Sequence, residues 1–145
     1  MKSLRQPKRT AALAVFCVLT VVSLVTFSFA TGNVTKGDLA GNWQITLGGL
    51  TGCGQSTELA NINMNAAGTG TGSLSTHGTC GDSNLTAQSF TILSLNANGS
   101  GTAGLSCGTG CGWVFSIQVS ADRSTFNLVD ITDPGNFLVG TAVHQ

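Results

Sequence analysis

Between residues 39 and 144, apolar side chains recur at every second position in short runs, and the runs are broken by glycine, asparagine and aspartate. That period constrains the chain strongly. Alternate residues of a strand face opposite sides of a sheet, so each run reads as a strand with one buried face. The clearest is Trp113-Val-Phe115-Ser-Ile117-Gln-Val119-Ser120, with Trp113, Phe115, Ile117 and Val119 on one face and Ser116, Gln118 and Ser120 on the other. The series opens with Leu39-Ala-Gly-Asn-Trp43-Gln-Ile45-Thr-Leu47-Gly-Gly49, where Trp43, Ile45 and Leu47 oppose Gln44 and Thr46. Further strands are expected at 58–65, 69–75, 84–95, 101–106, 125–131 and 137–144. Beyond residue 30 no long helical pattern interrupts them. The fold class is therefore all-β. We expect an eight-stranded antiparallel up-and-down barrel over 39–145, in which the last strand, Phe137 to His144, returns to pair with the first. A β-sandwich is the alternative.

The connections add an asymmetry. Ala66-Ala67-Gly68, Asn96-Ala97-Asn98-Gly99 and Ala121-Asp122-Arg123-Ser124 read as tight turns. Gly48–Thr57, Thr76–Ser83, Cys107–Gly112 and Thr132–Asn136 read as longer glycine-rich loops. In an up-and-down arrangement alternate loops share an end. One end should be shut by turns and the other should be an open rim.

Ahead of the barrel, Met1 to Thr10 carries Lys2, Arg5, Lys8 and Arg9 with no acid, and residues 11–30 carry no charge. A basic head followed by an apolar run is a secretory signal peptide or a membrane anchor helix. Ser28-Phe29-Ala30 suits cleavage after Ala30, whereas the run also approaches the roughly 20 residues that span a bilayer. Either way residues 31–145 lie outside the cytoplasm, with 31–38 as a linker, and the chain meets a membrane only through residues 11–30 if these are retained. Four of the six bases belong to this leader. The remainder keeps Lys36 and Arg123 against six acids, a net charge of −4. Two bases leave no footprint for a phosphate backbone, so nucleic acid is excluded as a partner.

At Gly41-Asn42-Trp43 the pattern resembles the lipocalin and avidin superfamily, whose exported barrels open on Gly-x-Trp. The resemblance implies that Trp43 plugs the closed end and that a ligand enters at the other. It departs from lipocalins in its bases, since Arg123, in a turn, is the one candidate to pack on the tryptophan. It departs from avidins in having no tyrosine and two tryptophans. The Gly-Asn-Trp opening with Gly140-Thr141-Ala142 near the end is also similar to small exported bacterial envelope proteins.

Beyond the leader, the cysteines are Cys53, Cys80, Cys107 and Cys111, all at the expected rim. An even number in a small exported domain reads as two disulfides. Three pairings are open, and Cys53–Cys80 with Cys107–Cys111 is the favoured one. The rival is a zinc site from His77, Cys80, Cys107 and Cys111, with Cys53 as a further ligand. His77 and Asp82 would supply an acid–base pair were the protein an enzyme. No other catalytic grouping stands out, His144 reads as a solvated tail, and no cofactor or metal is called for. The expectation is an exported, non-enzymatic envelope module, periplasmic or extracellular. It would take a small apolar ligand at the rim through Trp113, Phe115 and His77, or meet another envelope protein.

Overall fold

The computed structural model describes residues 32–132 and 135–145; the leader, residues 1–30, lies outside them. Eight strands follow in order: β1 (Gly41–Thr51), β2 (Gly54–Met64), β3 (Thr69–Gly78), β4 (Gly81–Leu95), β5 (Ser100–Ser106), β6 (Gly112–Val119), β7 (Thr125–Asp130) and β8 (Phe137–His144). Each pairs antiparallel with its chain neighbour, and β8 pairs with β1 from Trp43↔His144 to Leu50↔Phe137. That seam closes the barrel and sets aside the sandwich alternative. Glycine permits it: a Cβ on Gly140 would lie 1.9 Å from the Thr46 carbonyl oxygen of β1.

The alternation seen in the sequence is the inside–outside alternation of the wall. Trp43, Ile45 and Leu47 of β1 point in and are buried, as do Phe115, Ile117 and Val119 of β6. Trp43, Phe90, Phe115 and Phe126 fill the lower interior with large rings, Trp43 lying 4.8 Å from Phe126 between centroids. Trp43 Nε1 donates to the Leu39 carbonyl at 2.8 Å, so its one polar atom is satisfied inside an apolar plug.

Strand one begins two residues later than expected. Lys36–Leu39 forms a 3-10 turn instead, with Thr35 N and Oγ1 both donating to Asp38 Oδ2 at its start. Leu39 from this turn is fully buried, and Val34 N donates to Ala97 O at 3.0 Å. The stretch read as a linker thus packs across the closed end. His144, read as a solvated tail, is exposed, and its ring also lies edge-on to Trp43 with centroids 4.9 Å apart. Arg123 lies at the same end, with its Nε 3.5 Å from Asp38 Oδ2.

The larger correction concerns the rim. Gly48–Thr57 and Thr76–Ser83 are not loops. The β1–β2 ladder continues to Thr51↔Gly54 and the β3–β4 ladder to Gly78↔Gly81, leaving two-residue tips at Gly52-Cys53 and Thr79-Cys80. Polar and glycine-rich residues were read as loop because they bury nothing apolar. They pair because the neighbouring strands offer partners to their backbone N–H and C=O groups, whatever the side chains are. Among the described rim connections, Cys107–Cys111 is a true loop. Two irregularities in β4 also escape the alternation rule. The register shifts opposite Gly72/Leu74, where Ala87 has φ +56°, and again between Ile92 and Ser94. Each bulge switches which parity faces inward, so Leu85 and Gln88 both point toward the barrel axis.

Candidate functional site

The rim is held by the two disulfides of the favoured pairing. Cys53–Cys80 joins the tips of adjacent hairpins with Cα atoms 5.5 Å apart, and Cys107–Cys111 clips the β5–β6 loop at 5.0 Å. With the sulfurs paired, none of these four cysteines offers a thiolate to the rival zinc site. The pairing is consistent with an oxidising compartment. Gln88 anchors the clipped loop from inside: its Oε1 accepts from Ser106 Oγ at 3.0 Å and from Gly108 N at 2.8 Å.

Between the hairpin tips and this loop lies a cavity of about 470 Å³ at the open end. Its lining includes Trp113, Leu85, Glu58, Ser56, Thr76 and both disulfides. Trp113 opens β6 and faces inward, 7% exposed, as the sequence indicated. The other two expected contacts are elsewhere. Phe115 is fully buried one inward position deeper, part of the packed core and not of the cavity wall. His77 is on the outer face, because Leu74 and Thr76 set the inward parity of β3 and 77 is out of phase with them. Its side chain is largely exposed and its Nδ1 hydrogen-bonds the Asp82 carboxylate directly across the β3–β4 ladder. This is the acid–base pair anticipated from the sequence, but water reaches both partners. It flanks a larger recess, about 640 Å³, on the hairpin surface between Leu50, Thr57 and Thr79, and none of that recess's lining residues is buried.

Glu58 is the residue that sequence reasoning missed. It projects inward from β2 and is 3% exposed. Ser56 Oγ donates to Oε1 at 2.5 Å, whereas Oε2 is buried with no hydrogen-bond partner. Burial pushes the carboxyl up from its ordinary value, and the Ser56 hydrogen bond opposes the push. The signal was present in the alternation: Glu58 shares parity with Ala60, Ile62 and Met64, an acid on an otherwise apolar face.

This carboxyl makes the stability of the empty barrel pH-dependent. A carboxyl whose folded pKa is raised favours the fold below its ordinary value, 4.5, and that contribution is lost as pH rises through the folded pKa. Asp38 and Asp122 act oppositely and in more acid solution. Asp122, held down to about 2 by Ser120 and Ser124, contributes above 3.8 and loses this as pH falls. Glu58→Gln should therefore raise the Tm at neutral pH, and its advantage should shrink as the buffer is brought toward pH 4.5. Thermal unfolding of both proteins across this range checks it; a constant gap would mean Glu58 is not desolvated.

The fold and site define a class: a closed up-and-down barrel, plugged by Trp43 at one end and carrying a disulfide-framed cavity at the other. Comparison with family models, curated proteins and solved structures finds no match to the chain.

Proposed function

We propose that the protein is an exported, non-enzymatic barrel module of the cell envelope that takes a small ligand into its open end. The carrying observation is the 470 Å³ cavity above a filled interior. That volume is within the roughly 300–1,000 Å³ of small-molecule sites, and such sites pair apolar walls with a few placed polar groups. Trp113 and Leu85 supply apolar wall, and Glu58 and Ser56 supply the polar groups. Because Trp43, Phe90, Phe115 and Phe126 occupy the lower barrel, the ligand is shallow and small rather than a long chain threading the axis. The barrel with its Gly41-Asn42-Trp43 opening supports the lipocalin-like reading at the level of architecture.

Native mass spectrometry on protein isolated from its own host tests the reading. The expected result is a bound small molecule that is lost from Trp113→Ala while the variant keeps its fold by circular dichroism. A ligand-free spectrum, together with no thermal shift across a panel of small amphiphiles, would sink it.

A second reading, interaction with another envelope protein, has its own observation. Val129 pairs with Val139 across β7–β8 and Leu50 with Phe137 across β8–β1, and all four are exposed. With Ile131 they form an apolar strip on the outer wall near the rim.

A further inference from the structure

The cavity's chemistry narrows the ligand class, and this step rests on the reading of the open end as a ligand site. We propose that the ligand is a small organic cation, a protonated amine carrying an apolar or aromatic body, with Glu58 as its counter-ion and Trp113 as its wall. Three observations independent of one another lead there.

The first is the unpartnered atom. Glu58 is buried, lines the cavity, and has Oε2 without a hydrogen bond. A buried acceptor left bare is costly unless something donates to it. The protein supplies one donor to this carboxyl, Ser56 Oγ, and it serves the other oxygen. An incoming N–H would complete the set.

The second is the distribution of charge. Lys36 and Arg123, the only lysine and arginine among the described residues, are both at the closed end. Lys36 donates to Ile92 O and Arg123 lies against Asp38. The open end carries Glu58, Asp82 and Asp130 and neither lysine nor arginine among the described residues; its one imidazole, His77, faces outward and is paired with Asp82. Asp130 stands on the inner face of β7 by alternation. Its Oδ1 is tied to Thr132, and its Oδ2, like Glu58 Oε2, is buried without a partner. Asp82 is solvated on the outer face, so the inward carboxyls of this end are Glu58 and Asp130, and negative charge there attracts cations and repels anions. An anionic ligand would meet the Glu58 carboxyl in the cavity wall and neither lysine nor arginine among the described residues.

The third is the wall itself. Trp113 brings an indole into the same cavity as the carboxyl. Indole faces attract organic cations more strongly than other aromatic faces do. A carboxylate and an indole in one cavity favour an ammonium over an alcohol of the same shape, because the alcohol gains neither the ion pair nor the cation–π term.

The test is a matched series titrated calorimetrically against the whole protein: phenethylammonium, phenethyl alcohol and phenylacetate, which share a ring and differ in the charge of the head. The expected result is that the ammonium binds about tenfold or more tightly than the alcohol, the margin of one charge-assisted hydrogen bond, and that phenylacetate binds weakest. In Glu58→Gln, an isostere that keeps the volume, the ammonium should fall to the affinity of the alcohol. Equal affinities for ammonium and alcohol in the unmodified protein, or an ammonium preference that survives Glu58→Gln, would overturn the cation assignment while leaving a ligand site in place. Failure of all three probes to bind would overturn both. The selectivity within the unmodified protein is read without any variant, so the outcome does not hang on how Glu58→Gln folds.

Discussion

Replacing Cys53 and Cys80 together by serine is expected to lower the unfolding midpoint by about 15 °C, the largest loss from any change at the rim. The bridge spans 27 residues in sequence. Closing a loop of that length removes unfolded-state entropy worth about 3–4 kcal/mol. For a domain of this size each kilocalorie moves the midpoint by roughly 4–5 °C. The Cys107–Cys111 clip spans only 4 residues, and its removal should cost about 2 kcal/mol by the same argument. The two serine pairs, melted separately under non-reducing conditions, give the comparison. Equal and small losses would mean that the hairpin ladders alone hold the tips together. The bridge also has a local consequence. β1–β2 and β3–β4 project at the rim with their outer faces bare, and the Cys53–Cys80 link ties them into one wall of the cavity. Its loss should weaken ligand binding more than the loss of the clip does.

At the other end, Trp43→Ala should destabilise the barrel by about 3–5 kcal/mol. The indole is 1% exposed and touches Phe126 and His144, and its N–H is bonded to the Leu39 carbonyl. Truncation leaves a ring-sized void between closely packed neighbours and an unpaired carbonyl in the turn that covers it. Trp43→Phe separates these effects. It keeps much of the ring volume while losing the hydrogen bond, so it should cost less, about 1–2 kcal/mol. Urea unfolding of both variants measures the difference. If Trp43→Ala were nearly neutral, the 3-10 turn Lys36–Leu39 would have to collapse into the space, and Leu39 would then carry the plug alone.

Much of the architecture was readable from the chain. Period-two alternation identified the inward residues of β1 and β6, and the turn signals at Ala66-Ala67-Gly68 and Asn96-Ala97-Asn98-Gly99 sit where the ladders reverse. The favoured cysteine pairing took Cys107–Cys111 as a local clip and Cys53–Cys80 as a link between neighbouring rim connections, and the structure has both. What failed has a common cause. Gly48–Thr57 and Thr76–Ser83 carry no apolar face, so their pairing depends on the strand beside them rather than on their own composition. Had β3 been extended to Gly78, parity with Leu74 would have turned His77 outward. The bulges near Ala87 and Leu93 are invisible to a rule that assumes one residue faces one residue.

The sequence by itself determined the succession of strands and the apolar face of most of them, Trp43 included, because these depend on local periodicity and on where the chain can turn. Only the tertiary structure decided that β8 meets β1, that His144 rests on Trp43, and that Glu58 lies in the wall of a cavity with one oxygen bare. The physical reason is that alternation assigns a side chain to a face, whereas burial and solvation depend on what the opposite strands place there. For Glu58 those strands come from distant parts of the chain, and the charge it carries is the feature on which the proposed chemistry of the open end turns.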